Sequence, residues 1–147
     1  MDMQIITQIM TNKVIIACLV AWLSSQIIKT TINFFREKKF DINHLLFGVG
    51  GMPSSHTAVT CCLTVAVLIK DGITTVFAVA LILTLITLRD SMGVRRESGK
   101  HARVLNMISK IIYKKKPEEQ FNEILGHTPL QVLVGAILGI IVAIVIV

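Results

Sequence analysis

From Pro129 to Val147 the chain carries no charged side chain. As a helix this stretch would rise about 28 Å, close to the ~30 Å hydrocarbon thickness of a bilayer. Backbone polar groups in hydrocarbon must be satisfied within the segment, so the stretch reads as a membrane-spanning helix and lipid becomes part of the solvent for the whole chain. Three further apolar runs fit that solvent, giving spans over about 14–32, 55–69, 73–88 and 129–147. The middle two are short for the hydrocarbon core, so part of each is expected to lie against protein. The composition agrees: 53% of residues are apolar and 16% charged, and mean hydropathy is +0.72. The expected fold is all-α, a single integral membrane helical bundle over residues 1–147 with about four transmembrane helices.

The first run, Val14 to Ile28 between Lys13 and Lys29, reaches membrane thickness by continuing through Ile32 to Phe35. Asp2 precedes it and no small-x-small cleavage site follows Trp22, so it is read as a span rather than a removable signal. On its far half Gln26, Lys29, Asn33 and Arg36 recur at helical spacing as one polar stripe. Two cations on that stripe can converge on one anion or simply snorkel to the headgroups. After Arg89 the character changes. Charges crowd the sequence while Val94, Val104, Leu105, Ile108, Ile111 and Ile112 keep an approximate helical period, which predicts an amphipathic surface helix over about 91–113, ended by Lys114 to Lys116 and Pro117. If that helix is continuous from Arg89, then Arg89, Arg96 and Arg103 share a face. With four spans, the connections 29–52 and 89–126 lie on one side and hold 13 of the 15 Lys and Arg residues. The positive-inside rule makes that side cytoplasmic, with both termini outside and the chain a multi-pass protein of the cell membrane.

Residues 48 to 58, Gly-Val-Gly-Gly-Met-Pro-Ser-Ser-His-Thr-Ala, carry the densest chemistry. Glycines run into a proline suited to a first helical turn, then two hydroxyls, His56 and an apolar helix. A helix N-terminus offers unpaired N–H donors and partial positive charge to an anion, and a histidine beside it adds a titratable proton. An ordinary helix cap is the plainer reading of the same residues. Gly126-His127-Thr128-Pro129 repeats the arrangement at the last span, and the four-span topology brings Lys29, Arg36, His56, Asp90, Arg95, Arg96 and His127 to one boundary of the membrane. Cys18, Cys61 and Cys62 lie inside apolar runs without metal or disulfide spacing and read as packing residues. Gly135, Gly139 and Ala143 give one helix face a row of small residues suited to close packing.

The spacing Lys29-x6-Arg36, then Pro53-Ser54-Ser55-His56, then His127 opening the last helix, resembles the three-motif phosphate site of the type 2 phosphatidic acid phosphatases. Closer still, Gly51-Met52-Pro-Ser-Ser-His-Thr-Ala, Asp90-Ser-Met-Gly-Val-Arg-Arg with Gly99 and Leu105-Asn106, and Leu125-Gly-His-Thr-Pro-Leu resemble the divergent branch of that family, related to acid phosphatases and vanadium-dependent haloperoxidases. The resemblance covers nearly the whole chain. It implies hydrolysis of a lipid phosphate or diphosphate through a phosphohistidine, without metal or other cofactor. By the same resemblance His127 is the nucleophile, His56 the general acid, and Lys29, Arg36, Ser54 and Ser55 belong to the phosphate cradle. The implied partners are membrane lipid and a phosphorylated lipid or headgroup, with a homo-oligomer open and no nucleic acid expected.

The sequence also departs from the main family. Glu37 stands where a proline follows the first-motif arginine, Ser55 replaces a glycine, Phe121 occupies the place of an arginine, and Gln131 that of the acid four residues after the nucleophile. Arg95 or Arg96 is the candidate for the missing cation, Gln131 for orienting His127, and Asp90 or Glu123 for a supporting carboxylate. A second reading follows from these departures: a non-catalytic membrane protein that binds or moves anionic lipid headgroups through a degenerate site.

Overall fold

The computed structural model describes residues 3–37, 51–113, 120–123 and 125–147, with the side chains of Arg36, Glu37 and Tyr113 outside that set. Of the loop expected from Asp41 to Met52, residues 41–50 lie outside the described residues, as does the Lys114 to Pro117 terminator. Among the described residues six helices form: α1 (Met3–Thr11), α2 (Lys13–Glu37), α3 (Ser55–Asp71), α4 (Thr75–Met92), α5 (Val94–Tyr113) and α6 (Pro129–Ile146). No strand occurs among the described residues. The protein is an all-α membrane bundle built on α2, α3, α4 and α6, with the amphipathic α5 at one end.

Among the described residues three stretches are long and apolar enough to cross a membrane, Lys13–Phe35, the Thr75–Ile112 arm and Pro129–Ile146. The remaining bundle helix, α3, has 17 residues, about 25 Å of rise. It occupies the inside of the bundle, packed against α2, α4 and α6, so it meets protein where a lipid-facing span would need more length. Small side chains make that central position available. Ala17 and Ala21 of α2, Cys62 and Ala66 of α3, and Val142 and Ala143 of α6 form the buried apolar core. Gly139 of α6 lies so close to the Ala58 carbonyl and the Cys62 nitrogen that a β-carbon there would collide with backbone, and Gly135 meets the Ser54 backbone in the same way. The row of small residues on the last helix thus sets the α3–α6 distance. Between α3 and α4, Thr64 Oγ1 lies 2.8 Å from Thr84 Oγ1, and Thr84 donates to the Thr60 carbonyl, so hydroxyls join these two helices inside an apolar setting.

Local chemistry fixes the ends. Asn12 Oδ1 accepts from Val14 N and Ile15 N at the start of α2. Gly72 at φ 72 turns the chain from α3 into α4 within a few residues. Thr128 and Gln131 form a reciprocal capping box at α6 with Pro129 in the first turn. Near the opposite end of the bundle Lys13 Nζ donates to the Val147 carbonyl at 3.4 Å, so the start of α2 and the end of α6 share one end of the bundle.

The structure differs from the sequence reading in several places. Pro53 stands one residue before the N-cap instead of in the first turn; Ser54 is the cap, and the Met52–Pro53 peptide is cis. Helix α4 runs on to Met92 and α5 begins at Val94, not near residue 91, because Gly93 leaves helical geometry between them. Arg89 therefore belongs to a different helix from Arg96 and Arg103. The N-terminal helix α1 was not expected at all; Ile5, Ile6, Ile9 and Met10 recur on it at helical spacing and are exposed.

Candidate functional site

The end of the bundle opposite Lys13 and Val147 gathers the motif segments. Ser54 N donates to the Gln131 carbonyl at 3.1 Å, tying the 51–58 stretch to the first turn of α6. His127 N donates to the Ser91 carbonyl at 2.9 Å, tying the start of α6 to the last turn of α4. Gly126, at φ +79, lies against the backbone of Arg95 and Arg96, where any β-carbon would strike main chain. Gly99 similarly has no room for a side chain beneath the Glu123 and Leu125 carbonyls. Two glycines thus let the 120–127 connection lie flat on the N-terminal half of α5. Buried Asn106 holds it there: its amide donates to the Phe121 carbonyl and to Glu123 Oε1, each at 2.9 Å, and its oxygen accepts from Phe121 N at 3.0 Å.

These contacts create an open cleft of about 400 Å³ between α5, the 120–127 connection and the start of α6. Its walls include Gly51, Arg96, Lys100, Arg103, Glu123 and His127, with Thr128 and Gln131 alongside. The volume falls in the range of small-molecule sites, about 300–1,000 Å³. His127 is only 7% exposed. Its Nδ1 stands 3.4 Å from Gln131 Oε1, a long hydrogen bond. Gln131 Oε1 already accepts from Thr128 N at 2.9 Å, so it is the acceptor end of the amide that faces the ring. Gln131 Oε1 is thus placed to accept from Nδ1, in the tautomer that leaves the lone pair on Nε2, and the Gly51 backbone is the ring's other hydrogen-bond partner. Burial lowers the His127 pKa from its ordinary 6.5; the Gln131 hydrogen bond opposes this, the charges of Lys29 and His56 reinforce it, and a hydrogen bond with the Gly51 backbone opposes it again.

Lys29 is 2% exposed, with its aliphatic stem against Gly51. A side chain at Gly51 would press on the Lys29 Cγ, and the residue's φ of +80 also favours glycine. His56 is exposed at the start of α3, with the charges of Arg95, Lys29 and Asp90 around it. Asp90 itself pairs with Arg95 at 2.5 Å. The structure thus brings together Lys29, His56, Arg95, Arg96, His127 and Gln131. Ser54 and Ser55 are buried, and the Ser54 hydroxyl accepts from Thr57 N and from the Thr57 hydroxyl, which makes it a helix cap. Glu123 lies on the cleft wall, its carboxyl held below the usual range by Asn106 and then by Arg103. The Arg36 side chain lies outside the described residues. The sequence places Arg103 on one face with Arg96 and Asn106 within a family motif but assigns neither a site role, and Lys100, four residues after Arg96 on that face, is not singled out although the same spacing identifies it.

A helical membrane bundle that closes at one end over a basic cleft with a buried histidine defines the class of this protein. Within that class the chain belongs to the divergent PAP2 family, whose model matches residues 10–142. It is 34% identical over 152 residues to an uncharacterized membrane protein, YuiD, of Bacillus subtilis (strain 168), a match taking in 94% of this chain and 96% of that one. No solved structure matches.

Proposed function

We propose that the protein is a membrane phosphatase acting on a lipid phosphate or diphosphate delivered from the bilayer, with His127 as nucleophile. The observation that carries this reading is the buried imidazole of His127, beside Gln131 on the wall of a cationic cleft. Burial lowers the His127 pKa and so favours the neutral ring near neutral pH, the form in which an imidazole attacks phosphorus, through Nε2 when Nδ1 donates to Gln131. In the first step Nε2 forms a bond to phosphorus while the bond from phosphorus to the lipid oxygen breaks. His56 gives its proton to that leaving oxygen. In the second step water attacks the phosphohistidine, His56 takes the water's proton, and phosphate leaves. Lys29, Arg36, Arg95 and Arg96 supply cations for the charge on the phosphoryl oxygens. The charges of Arg95 and Lys29 act against a protonated His56, and the incoming phosphate, being negative, offsets them and favours the proton that the first step consumes.

Purified protein assayed against a panel of lipid phosphates, beside His127→Ala, tests this directly. Turnover in the wild type, a phosphohistidine trapped by rapid quench and loss of several orders of magnitude in the variant are expected. Turnover that survives His127→Ala would end the proposal. The second reading, headgroup binding or translocation without hydrolysis, draws on Gln131: an amide orients the ring but brings no charge to stabilise it when cationic. Saturable, His127-independent lipid binding with no turnover on any substrate would favour it.

A further inference from the structure

The cleft extends beyond the groups that the proposed hydrolysis uses. Arg96, Lys100 and Arg103 lie at i, i+4 and i+7 on α5, so their side chains form one stripe about 10 Å long, and all three line the cleft. Glu123 is the carboxylate on the same wall, so the lining carries a net positive charge even with His127 neutral. Arg103 donates through Nε to Glu123 Oε2 at 3.2 Å. That bond uses one of five donors of the guanidinium and sets its plane, leaving the terminal N–H groups as a fork for an anion. Glu123 in turn is fixed by Asn106, at 3% exposure, so the fork is mounted on a buried anchor. Lys100 Nζ donates to Glu97 Oε1 at 2.6 Å and keeps further donors for a ligand.

We propose that Lys100 and Arg103, with Arg96 between them and His127, form a second phosphate subsite, which selects lipids bearing a phosphoryl group in addition to the one presented to His127. Glu123 and Asn106 are positioning residues for Arg103. The chemistry required is a second phosphoryl group within reach of the first, either as a diphosphate or as a separate phosphomonoester on the headgroup. This rests on the phosphatase reading only for its kinetic arm, because binding can be measured without turnover.

Four probes distinguish the cases: dodecyl phosphate, dodecyl diphosphate, a phosphoinositide whose second phosphate sits on the inositol ring, and phosphatidylglycerol as a singly charged competitor. Binding is measured by calorimetry on His127→Ala protein in phosphatidylcholine nanodiscs, with and without Lys100→Gln or Arg103→Gln. Turnover is measured on the same two variants in the active background. Lys100 is 61% exposed on its side chain, so Lys100→Gln keeps the test open if Arg103→Gln disturbs the Glu123 contact. Each substitution is expected to weaken at least one of the two-phosphate ligands by about tenfold more than it weakens dodecyl phosphate, the scale of one charge-assisted hydrogen bond. Whichever two-phosphate ligand shows that loss identifies the source. Equal losses on all probes, or phosphatidylglycerol competing as well as the two-phosphate ligands, would overturn the subsite and leave a general anionic-surface stripe. A selective binding loss with no wild-type turnover would keep the subsite while the phosphatase reading fell.

Discussion

At the scale of single residues the decisive pair is His127 and Gln131. Gln131 does two jobs with one oxygen, accepting from Thr128 N to close the capping box and facing His127 Nδ1. A carboxylate of the same length can do both and adds charge, so Gln131→Glu should preserve the helix start; negative charge in the first turn is favourable there. It should also raise the His127 pKa, since an anion next to the ring favours the imidazolium. The acid limb of the proposed activity, set by His127 losing its lone pair to a proton, should therefore lie below pH 6.5 in the wild type and move upward in the variant. Stability gives an independent readout with a definite sign. Because the His127 pKa is lower in the folded protein than in the unfolded chain, the unfolded chain binds more protons between the two values, and stability falls as pH drops through 6.5 towards the folded value. In Gln131→Glu that window should narrow, visible as a smaller pH dependence of thermal unfolding in detergent. An unmoved acid limb and an unchanged unfolding profile together would remove Gln131 from any role beside the ring.

At the scale of elements, what the sequence made legible was what depends on near neighbours. Thr128 and Pro129 announce a capped helix, and Gly135, Gly139 and Ala143 announce a tight helix contact, because each signal is written within a turn or two of the chain. A Cβ at Gly139 would meet backbone of α3, so Gly139→Leu must push α3 and α6 apart. The expected cost is about 1–3 kcal/mol or more, read as a lower unfolding temperature in detergent, with the 51–58 stretch losing its register on Gln131. Full retention of thermal stability would mean that α6 packs elsewhere. Harder to read were breaks and crossings. The seven-residue spacing of Arg89, Arg96 and Arg103 suggested one face, but it carries no information about Gly93, where the helix ends and that face with it. Pro53 was placed inside the helix because proline tolerates a first turn, yet Ser54, with a side chain able to accept from Thr57 N, is the better cap and displaces it. Asn106 was unreadable for a deeper reason. Its partners Phe121 and Glu123 are fifteen and seventeen residues away, and only the tertiary path of the connection makes its amide necessary.

At the scale of the whole molecule, the contact of Lys13 with the Val147 carbonyl and the gathering of residues 51, 91 and 127 at the opposite end require an even number of crossings. Four crossings by α2, α3, α4 and α6 satisfy this, and α5 then lies at the cleft end. Charge bears on which end faces the cytoplasm. In sequence the connections 29–52 and 89–126 hold 13 of the chain's 15 Lys and Arg residues, and by the positive-inside rule we propose that the cleft end faces inward. A membrane-impermeant maleimide should therefore modify Ser98→Cys, exposed on α5, only in inverted vesicles, and Asp71→Cys, exposed at the α3–α4 turn, only in intact cells. The native thiols lie within α2 and α3, Cys61 and Cys62 buried and Cys18 half-buried, so wild-type protein supplies the background. Labelling of both positions from the same side would break the four-crossing fold and separate His127 from Lys29. The reversed pattern would keep the bundle intact but turn the cleft outward. Any lipid substrate would then have to come from the outer leaflet, so the same two cysteines decide both the topology and the pool of lipid that can reach His127.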